Sequence, residues 1–306
     1  MTKGIKSIKR ISAVSCVILF TVYLTVFGQS ARESAARGLD ICSGVILTTV
    51  FPFSVASSLL LSSGACDILG RTAFYPLGRL FGLSESGAGL LLPGLIGGFP
   101  AGATGAAELY RSGRIEKAEA EKVISYTNNA TPAFAFVFAG GISGSVKAGV
   151  LCWAVNIGAA FVWAVILRGK KDENKKSGAA KTEISFASSV LSAFSSALSA
   201  CAFVIIFSVI SGALQYFLPP LLSCPISALL EISSGLPLLP AAGLDGRITA
   251  SLVCFFTSFS GLCVGSQVVN AARDAGLSVK YYFPGKIFQA FISFFAFYLL
   301  YPTVLS

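Results

Sequence analysis

Two adjacent amides, Asn128 and Asn129, stand just before Pro132 in the apolar stretch SYTNNATPAFAF (125–136). A proline inside a helix removes one hydrogen bond and clashes with the carbonyl four residues back, here that of Asn128. Thr127, Asn128 and Asn129 could therefore cap a broken helix or contact a ligand, because amides in a membrane usually face the interior of the bundle. A second interruption is GGFPAGATG (97–105), with Gly98, Phe99, Pro100 and Gly102. Its glycines allow a tight turn and a close backbone approach to a ligand. Pro100 suits the first turn of the half-helix that follows. The free N–H groups there favour an anionic or strongly polar partner. A third interruption, FSGLCVGSQVV (259–269), offers Ser260, Gly261, Gly265, Ser266 and Gln267.

Two acidic residues stand out. Glu231 in SALLEISSG is flanked by Leu230 and Ile232, a costly setting unless the carboxylate is solvated, paired or protonated. It could couple transport to sodium or protons, or lie at the outer interface. Glu85 in GLSESG is its expected partner by symmetry. The charged run ELYRSGRIEKAEAEK (108–122) reads as a solvated helix face with i,i+4 pairs.

Other chemistries fit poorly. The chain has no histidine and its eight cysteines form no CxxC pair, which disfavours a zinc site or a histidine-based triad. A phosphate-binding P-loop needs Gly-Lys-Ser/Thr after its glycines, and none follows Gly102 or Gly105. No enzyme activity, cofactor or nucleic-acid partner is expected.

The elements that position these residues follow from composition. Of 306 residues 54% are hydrophobic and 12% are charged, against roughly 25% charged in soluble domains. Apolar windows long enough to span a bilayer predict Ile11–Gly28, Ile41–Ser63, Ala88–Glu108, Ile124–Ser143, Lys147–Leu167, Ser188–Ala213, Thr249–Asn270 and Lys286–Leu305. The fold class is thus an all-α polytopic membrane protein, with the lipid bilayer as its first partner. The first span reads as a retained anchor rather than a cleaved signal peptide. Basic residues crowd the N-terminus (Lys3, Lys6, Lys9, Arg10) and the segment from Arg168 to Lys181, placing both in the cytoplasm.

Sliding the sequence by 163 residues lays GGFPAGATGAAELYRSGRI (97–115) over SGLCVGSQVVNAARDAGLS (260–278), with Gly98, Gly102 and Gly113 meeting Gly261, Gly265 and Gly276. If both glycine-broken segments dip in and return on the same side, the basic loop falls in the cytoplasm and the two repeats are inverted. This gives an anchor and external link (1–40), a first repeat with its connecting span (41–167), a basic linker (168–184) and a second, inverted repeat (185–306). Inverted repeats with discontinuous helices build midplane solute sites in many secondary transporters. The plainer reading is that glycine and alanine only let helices pack closely.

The ordered motifs GGFPAGA, SGRI, SYTNNATP and FSGLCVGSQV resemble those of sporulation integral membrane proteins of the YlbJ type, over residues 40 to 300. These belong to the nucleoside-recognition, or Gate, group and are similar to concentrative nucleoside transporters. The resemblance implies inverted repeats with re-entrant hairpins; related transporters often assemble, so a homo-oligomer is one state in play, and the sequence does not choose it. The resemblance also implies a role in moving dipicolinate, a small aromatic dianion, across the outer forespore membrane of a bacterial cell. The chain departs from the pattern in being shorter and in having Gly265-Ser266 where a histidine-containing pair precedes Gln267. The functions in play are a transporter for a small polar or anionic aromatic solute, a nucleoside transporter and a non-transporting sporulation scaffold.

Overall fold

A computed structural model describes residues 2–168 and 186–305; the expected linker 168–184 lies outside the described residues except for Arg168. Among the described residues the chain is all-α, without strands. Five helices are long and apolar enough to cross a membrane. The protein is a multi-pass membrane protein: Val146, Leu191, Phe295 and Leu299 point outward from its helices while amides, serines and the charged Arg114, Glu121, Glu231 and Lys286 lie inside. A soluble fold would bury the first set.

Helix α1 (Thr2–Val26) leads into α2 (Gly28–Ser62), which starts well before the predicted 41–63. Within α2, Cys42–Val50 is π-helical, directly ahead of Pro52, which can donate no backbone bond. Short helices α3 (Ala65–Arg71) and α4 (Tyr75–Phe81) follow. Next, α5 (Glu85–Ile96) and α6 (Ala101–Arg111) form a helical hairpin whose tip is Gly97–Pro100. Ser84 caps α5 by accepting from Gly87 N at 3.1 Å. Helix α7 (Lys117–Thr127) ends at the amide pair, and α8 (132–143) resumes at Pro132 with Thr131 as its cap. After α9 (Val146–Ile166) come α10 (Phe186–Phe217), α11 (Pro220–Leu230) and α12 (Ile232–Ala242). The chain ends with α13 (Gly246–Phe259), α14 (Gly261–Asp274) and α15 (Tyr282–Leu300).

The two halves interlock. Helices α2 and α10 run antiparallel: Gly38 meets the Ile205 backbone, Phe51 meets Phe194, and Gly212 faces Ser34. Helix α15 packs on α7, α9 and α13, and α6 packs on α14.

The second glycine-broken segment differs from the expected hairpin. Arg247 Nε donates to Tyr298 O at 2.7 Å, Ser258 meets Ser293 at 3.1 Å, and Gly265 lies against Phe283. The segment 246–274 therefore advances along α15 throughout; it is a long helix interrupted at Ser260. The chain doubles back instead in α11–α12, where a Cβ on Gly235 would stand 2.3 Å from Ala228 N. The 163-residue slide matched glycines but equated a hairpin tip with a break in a through-running helix. Glycine spacing reports local freedom, not the direction in which the chain leaves the break.

The run 108–122 is also corrected. It is interrupted at 112–116, and Arg114 and Glu121 are buried rather than solvated. Arg114 pairs with Asp67 at 2.9 Å and donates to Leu61 O at 2.8 Å, tying the end of α6 to α2 and α3. Glu121 accepts from Ser278 N at 3.1 Å and pairs with Lys280 at 3.0 Å, joining the halves. Glu119 accepts from Ser84 N and Oγ, each at 2.8 Å.

Removing one partner of a buried pair leaves the other charge stranded. Arg114→Met should lower unfolding stability in detergent by roughly 3 kcal/mol. Arg71→Met, which breaks the exposed Arg71–Glu85 pair, should shift the same thermal midpoint much less. Equal shifts would contradict the structural role given to Arg114.

Candidate functional site

Pro132 has no N–H, so the Asn128 carbonyl loses the donor that a continuous helix would supply. Lys286, one turn into α15, replaces it: its Nζ donates to Asn128 O, and at 3.3 Å to both Asn129 Oδ1 and Gln289 Oε1. Gln289 Nε2 donates to Ser125 O at 2.8 Å, and Trp163 Nε1 to Ser125 Oγ at 3.0 Å. All these groups are buried apart from the partly buried Trp163. The Lys286 ammonium also stands 5.8 Å from the Phe99 ring centre, within cation–π range. Gly285 brings α15 close to Trp163, since a Cβ there would lie 2.4 Å from Nε1.

The hairpin tip joins this cluster. Asn128 Oδ1 accepts from Ala103 N at 3.0 Å, capping the start of α6, while its Nδ2 donates to Ile124 O at 2.7 Å. Asn129 Nδ2 donates to Tyr126 O at 2.7 Å. Gly98 has a φ of +69° and lies where a Cβ would strike Thr131 Cγ2. A Cβ on Gly102 would be 2.4 Å from the Thr127 carbonyl oxygen. Gly98, Phe99, Pro100, Gly102, Thr127, Asn128 and Asn129 thus come together in one constellation, which the two motifs taken separately did not announce.

The residues from 260 onward divide. Ser260 is buried with φ of +79°, the conformation that ends α13, and Gly261 follows at +73°. Gly261 lies against Leu230 O and Ile232, so this break sits beside the tip of α11–α12. At that tip Glu231 is 1% exposed, enclosed by protein rather than open to solvent. Its carboxylate caps α12, accepting from Ser233 N at 2.9 Å and Ser234 N at 2.6 Å. Glu85 forms no pair with it; Glu85 is ion-paired to Arg71 and half-exposed. Symmetry misled because the two carboxylates sit on unlike elements. Gly265 packs on Phe283, and Ser266 Oγ bonds back to Leu262 O at 2.9 Å, away from the first cluster.

Gln267 lines a cavity of about 770 Å³ between α2, α6, α10 and α14. Pro100, Thr104, Glu108 and Arg111 line it from α6, and Asn270 and Asp274 from α14. Ser58 and Ser62 come from α2, and α10 contributes Ser188, Ser189, Ser192, Ser195, Ser196 and Ser199. The cavity runs from the bundle end marked by Arg111, Asp274 and Ser188 inward to Pro100 and Gln267. Along α10 that span, Ser188 to Ser199, is roughly 16 Å, about half the thickness of a bilayer core. Such a space can hold a small solute among hydroxyls and amides, with Pro100 of the hairpin tip and Gln267 of α14 at its inner end.

Lys286, Gln289 and the α10 serines escaped the motif search. Their signals were present: a lone lysine and a glutamine three residues apart in YFPGKIFQAF, and serines repeating at helical spacing in SSVLSAFSSALSA.

The chain is similar to a sporulation integral membrane protein. It is 24% identical over 333 residues to "Sporulation integral membrane protein YlbJ" of Bacillus subtilis (strain 168), covering 94% of this chain and 81% of the relative. The resemblance read from the motifs thus extends over nearly the whole chain. No family model and no solved structure matches it.

The glycines at the hairpin supply a test. Gly102→Ala meets backbone and should destabilise by more than about 2 kcal/mol, as overpacking does. Gly105→Ala meets only the flexible ends of Leu90 and Leu61 and should be tolerated, as measured by thermal unfolding of the purified proteins.

Proposed function

We propose that this chain is a secondary transporter of the sporulating bacterial membrane, carrying a small polar or anionic solute, with dipicolinate as the first candidate. The observation that carries this reading is the polar cavity of about 770 Å³ that reaches from one end of the bundle to Pro100 and Gln267. Six serines of one helix, α10, line this space. Solute transport supplies a reason: hydroxyls and amides replace the water that a polar solute sheds.

The proposal includes the inverted repeat, in a corrected register. The first half is α2, the hairpin α5–α6, the interrupted crossing α7–α8 and α9. The second is α10, the hairpin α11–α12, the interrupted crossing α13–α14 and α15. Each hairpin is re-entrant, and each tip adjoins the break of the crossing in its own half: Gly98 at Thr131, and Leu230 and Ile232 at Gly261. The bundle end carrying Arg71, Arg111, Arg114, Lys117, Arg168, Arg273 and Lys280 faces the cytoplasm under the positive-inside rule. The cavity then opens to the cytoplasm. Glu231, buried at the second tip, is the acidic group placed to couple transport to protons; Glu85 is not.

Uptake of dipicolinate and of nucleosides into vesicles containing the purified protein tests the reading. The wild type should accumulate an anionic solute. Gln267→Ala and Ser199→Leu, at the inner end of the cavity, should each cut uptake about tenfold, the effect of about 1.4 kcal/mol of lost binding, while insertion stays normal. Preference for nucleosides would reassign the solute. Unchanged uptake in both variants would remove the cavity from the pathway, and no uptake of any solute by the wild type would favour the scaffold.

A further inference from the structure

A positive charge buried among neutral oxygens needs an account that the transport reading does not provide. Lys286 Nζ is held by three uncharged oxygens, one backbone carbonyl (Asn128) and two side-chain amides (Asn129 and Gln289). The carboxylates of neighbouring elements are engaged elsewhere: Glu119 with Ser84, Glu121 with Ser278 and Lys280, and Glu231 with its own helix. A cap for the orphaned Asn128 carbonyl requires only a neutral donor. An ammonium in that place carries the added cost of a charge inside the membrane.

The oxygen set suggests what the charge is for. In transporters with broken helices, carbonyls freed by unwinding coordinate the coupling cation. Here the freed carbonyl and its amide neighbours form such an oxygen set, without the carboxylates that a divalent ion favours. We propose that the break at 128–131 is a monovalent-cation site filled by the protein's own Lys286 ammonium, so that no diffusible sodium ion binds there. The fixed charge sits behind Phe99, one residue from Pro100 at the inner end of the cavity. Local geometry supports a built site: Gly285 admits α15 to contact with Trp163, which fixes Ser125. Gln289 grips Ser125 and Lys286 at once. Only the consequence for coupling rests on the transporter reading; occupancy of the site does not.

Lys286→Ala deletes the atoms of n-propylammonium and leaves the oxygens in place. The thermal unfolding midpoint of the full-length variant in nanodiscs should rise by a few degrees in propylammonium chloride, and not in the same concentration of propan-1-ol with choline chloride. The wild type should respond to neither. Equal effects of the two additives on the variant, or none, would overturn the cation site. A second measurement needs no variant: exchanging sodium for choline should leave the wild-type midpoint unchanged, and a rise in sodium would overturn the proposal. Rescue by propylammonium in a protein that moves no solute would sink the transport reading alone.

Discussion

Backbone groups freed by a broken helix have no water to turn to inside a bilayer, and each one left unpaired costs several kcal/mol. The centre of this protein is organised by that constraint. At 128–131 the orphaned groups are met by Lys286 and Gln289 from another helix. At the tip of α5–α6 the Asn128 side chain receives Ala103 N. At the tip of α11–α12 Glu231 collects two N–H groups of its own next helix. Each of these three interruptions is stabilised by a polar side chain that would be expensive to bury alone, so break and side chain must be present together.

The same constraint explains the polarity of the bundle. Lipid accepts Val, Leu, Ile and Phe on the outside, and close helix contacts inside are made by small residues. Gly38, Gly94, Gly102 and Gly212 all stand where a Cβ would meet backbone or short side chains of a neighbour. Serines on α10 are small enough for this role and also polar, so a helix can contact its neighbours along one part of its face and line a wet space along another. The cavity and the packing therefore draw on the same residue types. This is why composition alone does not separate a solute path from a tight helix interface.

Much of the architecture could be read from residue order. Long apolar windows anticipated α9, α10 and α15 to within a few residues, because the hydrocarbon thickness sets helix length directly. The amide pair before Pro132 and the glycines around Pro100 were each legible as a helix break, since proline and glycine act on the backbone wherever they fall; that the two breaks meet was not. The role of Lys286 was not. Taken as the edge of a span, a lysine snorkels to the surface; here its ammonium turns inward to a carbonyl 158 residues earlier in the chain. Glu231 was conspicuous, but its depth depends on where α11 and α12 lie relative to Gly261.

By itself, the sequence determined that this chain lives in a membrane, that its helices are broken at particular glycines, prolines and amides, and that basic residues gather at one end. These follow from local chemistry: hydropathy, missing N–H groups and charge. Only the tertiary structure decided which interrupted segment turns back and which continues, because that depends on contacts such as Ser258 with Ser293 and Gly235 with Ala228. It also decided that Arg114 and Glu121 of the run 108–122 are buried and that Lys286 meets Asn128. A hydrogen bond between distant helices is selected by how the whole bundle packs, and no short stretch of sequence contains that information.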